Sequence, residues 1–179
     1  MNLYLRLFWI IFWALRYRGP KLDPTKDVGR IYFRILPTDC DINIHLTQSR
    51  YPAFGDLGRV DFGARMGLGP VLREKGWALI AGSIHTDFKK EIKPFEKACV
   101  ETRFLGWIGS KFLAEHRYSV QRKGETVLNA ISYVKFGFYD RRNKRFIQGE
   151  EIARIMDFPQ KSPELTADMV DFLTKKLQA

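Results

Sequence analysis

Apolar and polar residues alternate over long runs in the middle of the chain, and each run ends at residues that favour turns. In the run at 111–122 one face is mostly apolar at every second position, which is the period of a half-buried strand. Gly109-Ser110 and Lys123-Gly124 flank this run and are typical of tight turns. We therefore predict an antiparallel meander of four strands, at residues 77–92, 98–107, 111–122 and 126–139.

A period of three to four residues replaces the alternation after Arg50 and indicates a helix. Pro52 suits the first turn of this helix, where its missing N–H costs nothing, and Gly67 marks its end. The apolar positions with this spacing are Tyr51, Phe54, Leu57, Val60, Ala64 and Leu68. A second amphipathic stretch at 163–177, with Ser162 as its predicted N-cap, indicates a helix near the C-terminus.

A β-type run at 28–36, closed by Pro37, precedes the first of these helices. The predicted order is therefore strand, long loop, helix and four further strands. One long helix against a five-stranded antiparallel sheet is an α+β plan, and a sheet that wraps such a helix is the hotdog arrangement. We divide the chain into an N-terminal helix and linker at 1–26, a hotdog domain at 27–149 and a helical extension at 150–179.

The N-terminal segment is apolar from Leu3 to Leu15 except for Arg6. These thirteen residues fall short of the roughly twenty that span a bilayer. Trp9 and Trp13, with basic residues behind them, suit a helix that lies at a membrane interface through residues 3–18. A helix that docks on the domain or on a partner chain explains the pattern equally well.

The 179 residues carry a formal charge of +10, and 45% of them are hydrophobic, as in a folded single domain. Such a charge favours anionic partners, but no zinc finger or RNA-recognition signature supports nucleic acid. Two cysteines, Cys40 and Cys99, indicate a reducing compartment, the cytoplasm, with the protein soluble or resting on the inner membrane face. No spacing of histidine, cysteine and carboxylate residues predicts a metal site.

Polar chemistry is concentrated between Leu36 and Asp56, directly before the central helix. Asp41, Asn43 and His45 lie at every second position, so in an extended loop their side chains project to one side. Cys40 is a poor nucleophile, because Asp39 and Asp41 raise the pKa of its thiol. His85 and His116 are interpreted as ordinary strand residues.

This stretch resembles known thioesterase families. Asp39-Cys40-Asp41, with Tyr51 and Asp56 further on, resembles the 4-hydroxybenzoyl-CoA thioesterase family of hotdog proteins. The segment 39–45 is also similar to the D-x-D-x-N-x-H motif of plant acyl-ACP thioesterases. Arg50-Tyr51 and the apolar N-terminus are similar to single-hotdog thioesterase-superfamily proteins. Where these relatives usually have Asn-Asn, this chain has Thr47-Gln48.

The resemblance implies a cofactor-free acyl-CoA or acyl-ACP thioesterase in which Asp41 is the nucleophile or general base, Asn43 orients it and His45 holds water or transfers a proton. It places substrate beside the start of the helix, where unpaired N–H groups at Gln48 to Arg50 suit an oxyanion hole. The predicted substrate-binding residues are Thr47, Gln48, Ser49, Arg50 and Tyr51.

Two classes of function remain open. The first is a thioester hydrolase, active as a homodimer or tetramer because a single hotdog leaves one face incomplete. The alternative is a catalytically weak hotdog that binds acyl thioesters or scaffolds partners at the membrane surface. A dehydratase or hydratase of the same fold is disfavoured, since three residues separate Asp41 from His45 where the D-x4-H pattern requires four.

Overall fold

The computed structural model describes residues 2–16 and 20–175. A 3-10 turn at Pro37–Asp39 precedes the central helix. The helices and strands are α1 Asn2–Arg16, β1 Gly29–Arg34, α2 Arg50–Arg65, α3 Leu68–Lys75, β2 Trp77–Phe88, β3 Lys97–Ile108, β4 Lys111–Arg122, β5 Glu125–Asp140, β6 Arg145–Phe146, α4 Gly149–Met156 and α5 Ala167–Thr174.

One antiparallel sheet contains all the strands, in the order β1-β3-β4-β5-β2, and the two-residue β6 pairs with β5. The helix α2 packs against β1, β3 and β5. The predicted α+β hotdog fold is therefore confirmed, and the predicted strand at 111–122 coincides with β4. The division of the chain at residues 26 and 149 stays a prediction.

The C-terminal helix is shorter than predicted. It begins at Ala167 instead of Pro163, with Thr166 at the N-cap. The hydroxyl of Ser162 does not cap it, because Ser162 Oγ instead accepts a hydrogen bond of 2.9 Å from the Trp107 backbone N–H on β3. The end of the predicted helix at Leu177 lies outside the described residues.

Two glycines let α2 lie close against the sheet. A Cβ atom at Gly58 would stand 2.5 Å from the Thr102 hydroxyl, and one at Gly55 would stand 2.7 Å from the Tyr118 hydroxyl. Both distances are far shorter than van der Waals contact, so a larger residue at either position would push the helix away. Glycine disfavours the helix at these two positions, but it allows α2 to pack closely against the sheet.

A polar network under α2 separates two apolar clusters of the core. His116 on β4 is fully buried. Its Nδ1 lies 3.0 Å from the Thr102 hydroxyl, and its Nε2 lies 3.0 Å from Arg59 Nη1. Because a guanidinium only donates, Nε2 is the acceptor and Nδ1 carries the proton. Arg59 also donates to Asp56. His116 is thus a neutral structural residue, in agreement with its interpretation from the sequence.

We predict that His116 makes the stability of the fold depend on pH. Burial and the nearby Arg59 charge lower the pKa of His116 to about 3, from a usual value of 6.5. Between these values the unfolded chain binds a proton that the folded chain does not. The free energy of unfolding should therefore fall by up to about 1.4 kcal/mol per unit as pH drops below 6.5.

The check is urea unfolding of the wild-type protein and of His116→Gln between about pH 7 and pH 4, the range in which His116 of the unfolded wild-type chain takes up a proton and a glutamine takes up none. The glutamine amide oxygen can still accept the hydrogen bond from Arg59. The difference between the two stability curves isolates His116 from the carboxylates that titrate in both proteins. Parallel curves would contradict the prediction.

The helix α1 has one docked face and one exposed face. Leu3, Leu7 and Ile10 pack against the core cluster that contains Phe54 and Val100. The opposite side exposes a group of large apolar side chains, Tyr4, Leu5, Phe8, Trp9, Phe12 and Trp13. Docking on the domain, one of the two explanations of this segment, is therefore observed and still leaves an apolar face uncovered. Within the described residues, no helix is both long and apolar enough to cross a bilayer.

Candidate active site

The segment before α2 folds into a closed loop. Cys40 and Leu46 form an isolated antiparallel bridge, and the Asp41 N–H donates to the His45 carbonyl oxygen at 3.0 Å. Between them the chain reverses direction, with Ile44 in the left-handed region at φ 59°. The expectation of an extended loop was therefore wrong, because local hydrogen bonds close the segment into a turn.

Asp41 and His45 nevertheless come together across this turn. His45 Nδ1 lies 3.5 Å from Asp41 Oδ2. The other carboxylate oxygen, Oδ1, accepts a hydrogen bond of 2.9 Å from the Asn43 backbone N–H. Both side chains are about a third exposed, at 28% for Asp41 and 34% for His45. The Asn43 side chain is exposed, so the backbone of this residue, and not its amide group, orients Asp41.

His45 stands at the wall of a cavity beside the start of α2, which we call the His45 cavity. It encloses about 530 Å³ of empty space, part of it open to solvent. It is lined by His45, Leu46, Gln48, Tyr51, Phe88, Lys89, Lys90 and Glu91. A neighbouring hollow shares His45 and Glu91 and also contacts Asn43. His45 is therefore reachable from a space large enough for part of a small molecule, and Asp41 lies directly behind it, in contact with its ring.

Aromatic residues close one side of the His45 cavity. The rings of Tyr51 and Phe88 meet edge to face, with centroids 5.0 Å apart. Tyr118 contacts Tyr51 in the same way, and its hydroxyl donates to the Tyr51 carbonyl oxygen at 2.7 Å. Burial raises the pKa of Tyr51 to about 12. At neutral pH Tyr51 is therefore a phenol, which keeps a hydroxyl donor beside the cavity.

The five predicted substrate-binding residues divide into two groups. Gln48 and Tyr51 line the His45 cavity. Arg50 turns the other way, with its Nε 3.7 Å from Asp39 Oδ1 and its Nη2 donating to the Thr38 carbonyl oxygen. Thr47 and Ser49 are absent from the cavity lining, and the Thr47 N–H donates to the Asp39 carbonyl oxygen at 3.1 Å.

The predicted oxyanion hole has fewer free N–H donors than expected. The Arg50 N–H donates to the Thr47 carbonyl oxygen at 3.0 Å, so Arg50 supplies no free donor. Among the residues that the structure describes, the N–H groups of Gln48 and Ser49 make no hydrogen bond. These two groups are the remaining donors at the helix start.

Asp39 stabilises the conformation of this loop. Its side chain is only 1% exposed, and Oδ2 accepts hydrogen bonds from Arg6 Nη2 at 2.8 Å and from the Leu36 N–H at 3.0 Å. The Arg6 guanidinium also lies over the Phe33 and Phe54 rings, 5.4 and 5.0 Å from their centroids. This ion pair joins α1 to the loop that carries Asp41.

The neighbouring thiol of Cys40 is a poor nucleophile. Burial, with the charges of Asp39 and Asp41, raises the pKa of Cys40. Its Sγ lies 3.6 Å from the Leu36 carbonyl oxygen, to which the protonated thiol donates. Cys40 is therefore held as a thiol at neutral pH, in agreement with the interpretation from the sequence.

Sequence reasoning missed five residues of the cavity wall, Leu46, Phe88, Lys89, Lys90 and Glu91. The last four of these lie at the end of β2 and directly after it, more than forty positions after His45, and only long-range contacts bring them to the site. The adjacent lysines at the end of an aromatic strand were the available signal. Nothing in the local pattern connected them to Asp41.

A second cavity lies away from this chemistry, between the C-terminal half of α2, the sheet and α4. Its lining is almost entirely apolar and includes Phe62, Phe104, Phe112 and Phe158. Across residues 2–16 and 20–175, no group of three or more histidine, cysteine or carboxylate residues is placed to hold a metal ion.

A long helix wrapped by one antiparallel sheet defines a hotdog-fold protein, and here an acid–imidazole pair lies beside the first turn of that helix. The family model described as the thioesterase-like superfamily matches residues 35–173. This match covers most of the chain, including the whole of the candidate site. The chain therefore belongs to the thioesterase-like superfamily.

Individual relatives agree with this family. A probable thioesterase of Saccharomyces cerevisiae is 28% identical over 141 residues, which are 78% of this chain and 60% of that protein. The protein named THEM6 of Xenopus laevis is 26% identical over 84 residues, or 47% of this chain and 41% of that protein. The chain thus spans less than two thirds of the length of either relative.

Solved structures share the fold. The 4-hydroxybenzoyl-CoA thioesterase from Pseudomonas sp. strain CBS-3 aligns with a TM-score of 0.60 and 18% identity, over 80% of this chain and 97% of that chain. The probable thioesterase YbaW from Escherichia coli aligns with a TM-score of 0.62 and 14% identity, over 72% of this chain and 95% of that chain. At these identities the likeness establishes the fold alone.

Proposed function

We propose that this protein hydrolyses acyl-CoA or acyl-ACP thioesters to the free acid and the thiol. The observation that carries the proposal is the contact between Asp41 and His45 at the wall of the His45 cavity. A thioester carbonyl is already electrophilic, so a positioned carboxylate and a few N–H donors are sufficient chemistry. Membership of the thioesterase-like superfamily supports this class of reaction.

Asp41 is the proposed catalytic residue. As a nucleophile it would form a C–O bond to the acyl carbon while the C–S bond breaks and the thiolate leaves, and water would then hydrolyse the mixed anhydride. As a general base it would take a proton from water that attacks the same carbon. His45 is suited to hold that water or transfer the proton. The N–H groups of Gln48 and Ser49 are the proposed oxyanion donors.

The acyl group is proposed only as a class. Structural neighbours are named for an aromatic thioester, 4-hydroxybenzoyl-CoA, and for an oleoyl thioester. The Tyr51–Phe88 wall would accommodate either an aromatic ring or an alkyl chain. The two lysines of the cavity wall and the charge of +10 favour a substrate with phosphate groups.

The direct test is thiol release from a panel of acyl-CoA thioesters of graded chain length, with benzoyl-CoA and an acyl-ACP included. Turnover of at least one thioester above the uncatalysed rate is the expected result. If no thioester is hydrolysed while one binds tightly, the catalytically weak binding protein becomes the better description.

A homodimer or tetramer is part of the proposal. The strand β2 stands at one end of the sheet, and it exposes Leu79, Ile80, Ile84 and Phe88. An apolar terminal strand of this length tends to pair with another chain. Phe88 also lines the His45 cavity, so a second copy on β2 would lie next to the site.

The exposed face of α1 favours a second role, contact with a membrane surface. Trp9 and Trp13 are 59% and 55% exposed, and Phe8 is 68% exposed. Aromatic side chains of this kind prefer the headgroup region of a bilayer. We expect the triple variant Phe8→Ser, Trp9→Ser, Trp13→Ser to lose most of its co-sedimentation with vesicles that contain anionic lipid.

The matched control for this prediction is Tyr32→Ser, which removes an aromatic side chain with 59% exposure from β1. It should leave vesicle binding unchanged. Because the three substituted residues lie outside the docked face of α1, the unfolding midpoint of the triple variant should stay near that of the wild-type protein. Equal binding by the wild-type protein and the triple variant would remove the membrane role.

A further inference from the structure

A short loop after β2 forms the basic side of the His45 cavity. It consists of residues 89–91, and Lys89 and Lys90 are both exposed. Neither ammonium group makes an ion pair with any residue in the described part of the chain, whereas Glu91 lies 3.6 Å from Lys93. Two adjacent positive charges therefore stand beside the cavity without a protein counter-charge.

The loop is held from beneath by one buried side chain, Asn129. Its Nδ2 donates to the carbonyl oxygens of Lys90 and Glu91, at 3.3 and 2.8 Å. Its own backbone carbonyl oxygen accepts the N–H groups of Lys89 and Lys90, at 2.8 and 3.0 Å. One residue with no exposed surface thus makes four hydrogen bonds to three consecutive loop residues.

The sheet is locally irregular at this residue. Tyr118 pairs with Ala130 and Ser119 pairs with Leu128, so Asn129 is the extra residue of a β-bulge between β4 and β5. A bulge changes the direction of a side chain and frees its backbone groups from the ladder, which is why bulges occur beside functional sites. Here both the amide and the freed carbonyl oxygen are directed at the loop.

The same loop is tied to the candidate catalytic segment. The carbonyl oxygen of Ile92 accepts the Leu46 N–H at 2.8 Å, directly after His45. On the other side, Arg122 Nη2 donates to the Glu91 carbonyl oxygen at 2.8 Å while its Nε pairs with Glu96. The position of Lys89 and Lys90 relative to His45 is therefore fixed by hydrogen bonds to the loop backbone, with Asn129 at its start and with Leu46 and Arg122 at its end.

We propose that residues 89–91 form the subsite for the phosphate groups of the thioester carrier, and that Asn129 is the residue that positions this subsite. The inference rests on the proposed function, since it assumes that the thioester is bound in the His45 cavity. A preformed loop reduces the entropy that is lost when lysine side chains bind a phosphate. Within the described residues Asn129 Oδ1 has no hydrogen-bond partner, a cost that an apolar residue at this position would avoid.

The first experiment compares acyl-CoA with the matching acyl-pantetheine, which has the same thioester and no phosphate. In Lys89→Ala and in Lys90→Ala, KM for acyl-CoA should rise about tenfold, while kcat changes by less than about twofold. For acyl-pantetheine both constants should stay at wild-type values. Equal effects on the two substrates, or none on acyl-CoA, would overturn the subsite. Lysine-to-arginine variants should restore most of the affinity.

Lys111→Ala is the matched control for the charge change. Lys111 is an exposed lysine at the start of β4. It lies about 25 Å along the sheet from the bulge, given about 3.4 Å per strand residue. If Lys111→Ala raises KM for acyl-CoA as much as Lys89→Ala does, the effect comes from the net charge of the protein and not from a defined subsite.

Asn129→Asp tests the positioning role without a change of size. A carboxylate cannot donate to the carbonyl oxygens of Lys90 and Glu91, so the loop should shift. We expect KM for acyl-CoA to rise about as far as in the lysine variants, and KM for acyl-pantetheine to change little. A purely structural role would lower the fraction of active protein equally for both substrates and leave both KM values unchanged. That result would reject Asn129 as a positioning residue.

Two further measurements distinguish coenzyme A from acyl carrier protein as the carrier, and a wrong subsite from a wrong proposed function. If the lysine variants hydrolyse acyl-ACP with a larger loss of rate than acyl-CoA, the phosphopantetheine of the carrier protein is the natural source of the phosphate. If the wild-type protein hydrolyses no thioester, binding of coenzyme A itself by calorimetry still tests the subsite. Binding that weakens about tenfold in Lys89→Ala and Lys90→Ala supports it, and binding that is absent or unchanged rejects it.

Discussion

Asp41→Asn should lower kcat for the best acyl-CoA substrate by a factor of about 10²–10⁴, the usual contribution of a catalytic acid–base or nucleophilic group. Asparagine keeps the size of the side chain and can still accept the hydrogen bond from the Asn43 N–H. It cannot attack the acyl carbon or take a proton from water. KM should therefore change much less than kcat.

Asn43→Ala is the control that the structure provides. The Asn43 side chain is exposed, and only its backbone N–H contacts Asp41, so kcat should fall by less than about fivefold. Both variants should match the wild-type protein in circular dichroism and in unfolding midpoint. Full hydrolysis by Asp41→Asn would exclude Asp41 as the reactive group, and a large loss in Asn43→Ala would show that its amide acts after all.

The second large effect concerns the Arg6–Asp39 ion pair. Arg6→Met removes the cation and leaves a carboxylate with 1% exposure facing an apolar side chain. Loss of one partner of a buried pair commonly costs about 3–5 kcal/mol. Arg50 Nε, 3.7 Å from the same carboxylate, should keep the cost near the lower end. Urea unfolding measures it directly.

A double-mutant cycle separates the pair from its surroundings. If the loss comes from the buried Asp39 charge deprived of Arg6, Arg6→Met combined with Asp39→Asn should be more stable than the sum of the single effects predicts. The exposed pair Arg30–Glu101 is the control, because Arg30→Met should cost less than about 1 kcal/mol. Equal losses at Arg6 and Arg30 would show that burial of the pair has no special weight.

Sequence patterns predicted the sheet because its strands carry their own signals. The alternation of apolar positions in the sequence and the turn residues Gly109-Ser110 and Lys123-Gly124 predicted β4 from local information alone, although residues 112–116 are all buried in the fold. The helix α2 was predicted in spite of its glycines, because Tyr51, Phe54 and Leu57 keep the helical spacing and are buried on one side. The eight-residue α4 was not predicted as a separate helix, although Ile152, Ala153 and Met156 face the core at helical spacing.

The candidate site was only partly predictable, because its geometry depends on contacts between distant segments. The motif identified Asp41 and His45, and the structure brings this pair together through a turn that the alternation rule did not anticipate. Arg50 was predicted to bind substrate, but its side chain turns toward Asp39. It does so because the Asp39 carboxylate is buried, and the sequence does not reveal that burial. Lys89 and Lys90 enter the cavity wall through Asn129, forty positions away.

The ion pair of Arg6 has a practical consequence for anyone who shortens the protein. The apolar α1 invites removal to improve solubility, yet its loss would strip Asp39 of its closest cation and release the loop before α2. The Thr47 N–H, bonded to the Asp39 carbonyl oxygen, would lose its fixed position at the same time. An inactive truncated protein would therefore reveal nothing about Asp41, and kinetic work on this chain should begin with residues 2–16 in place.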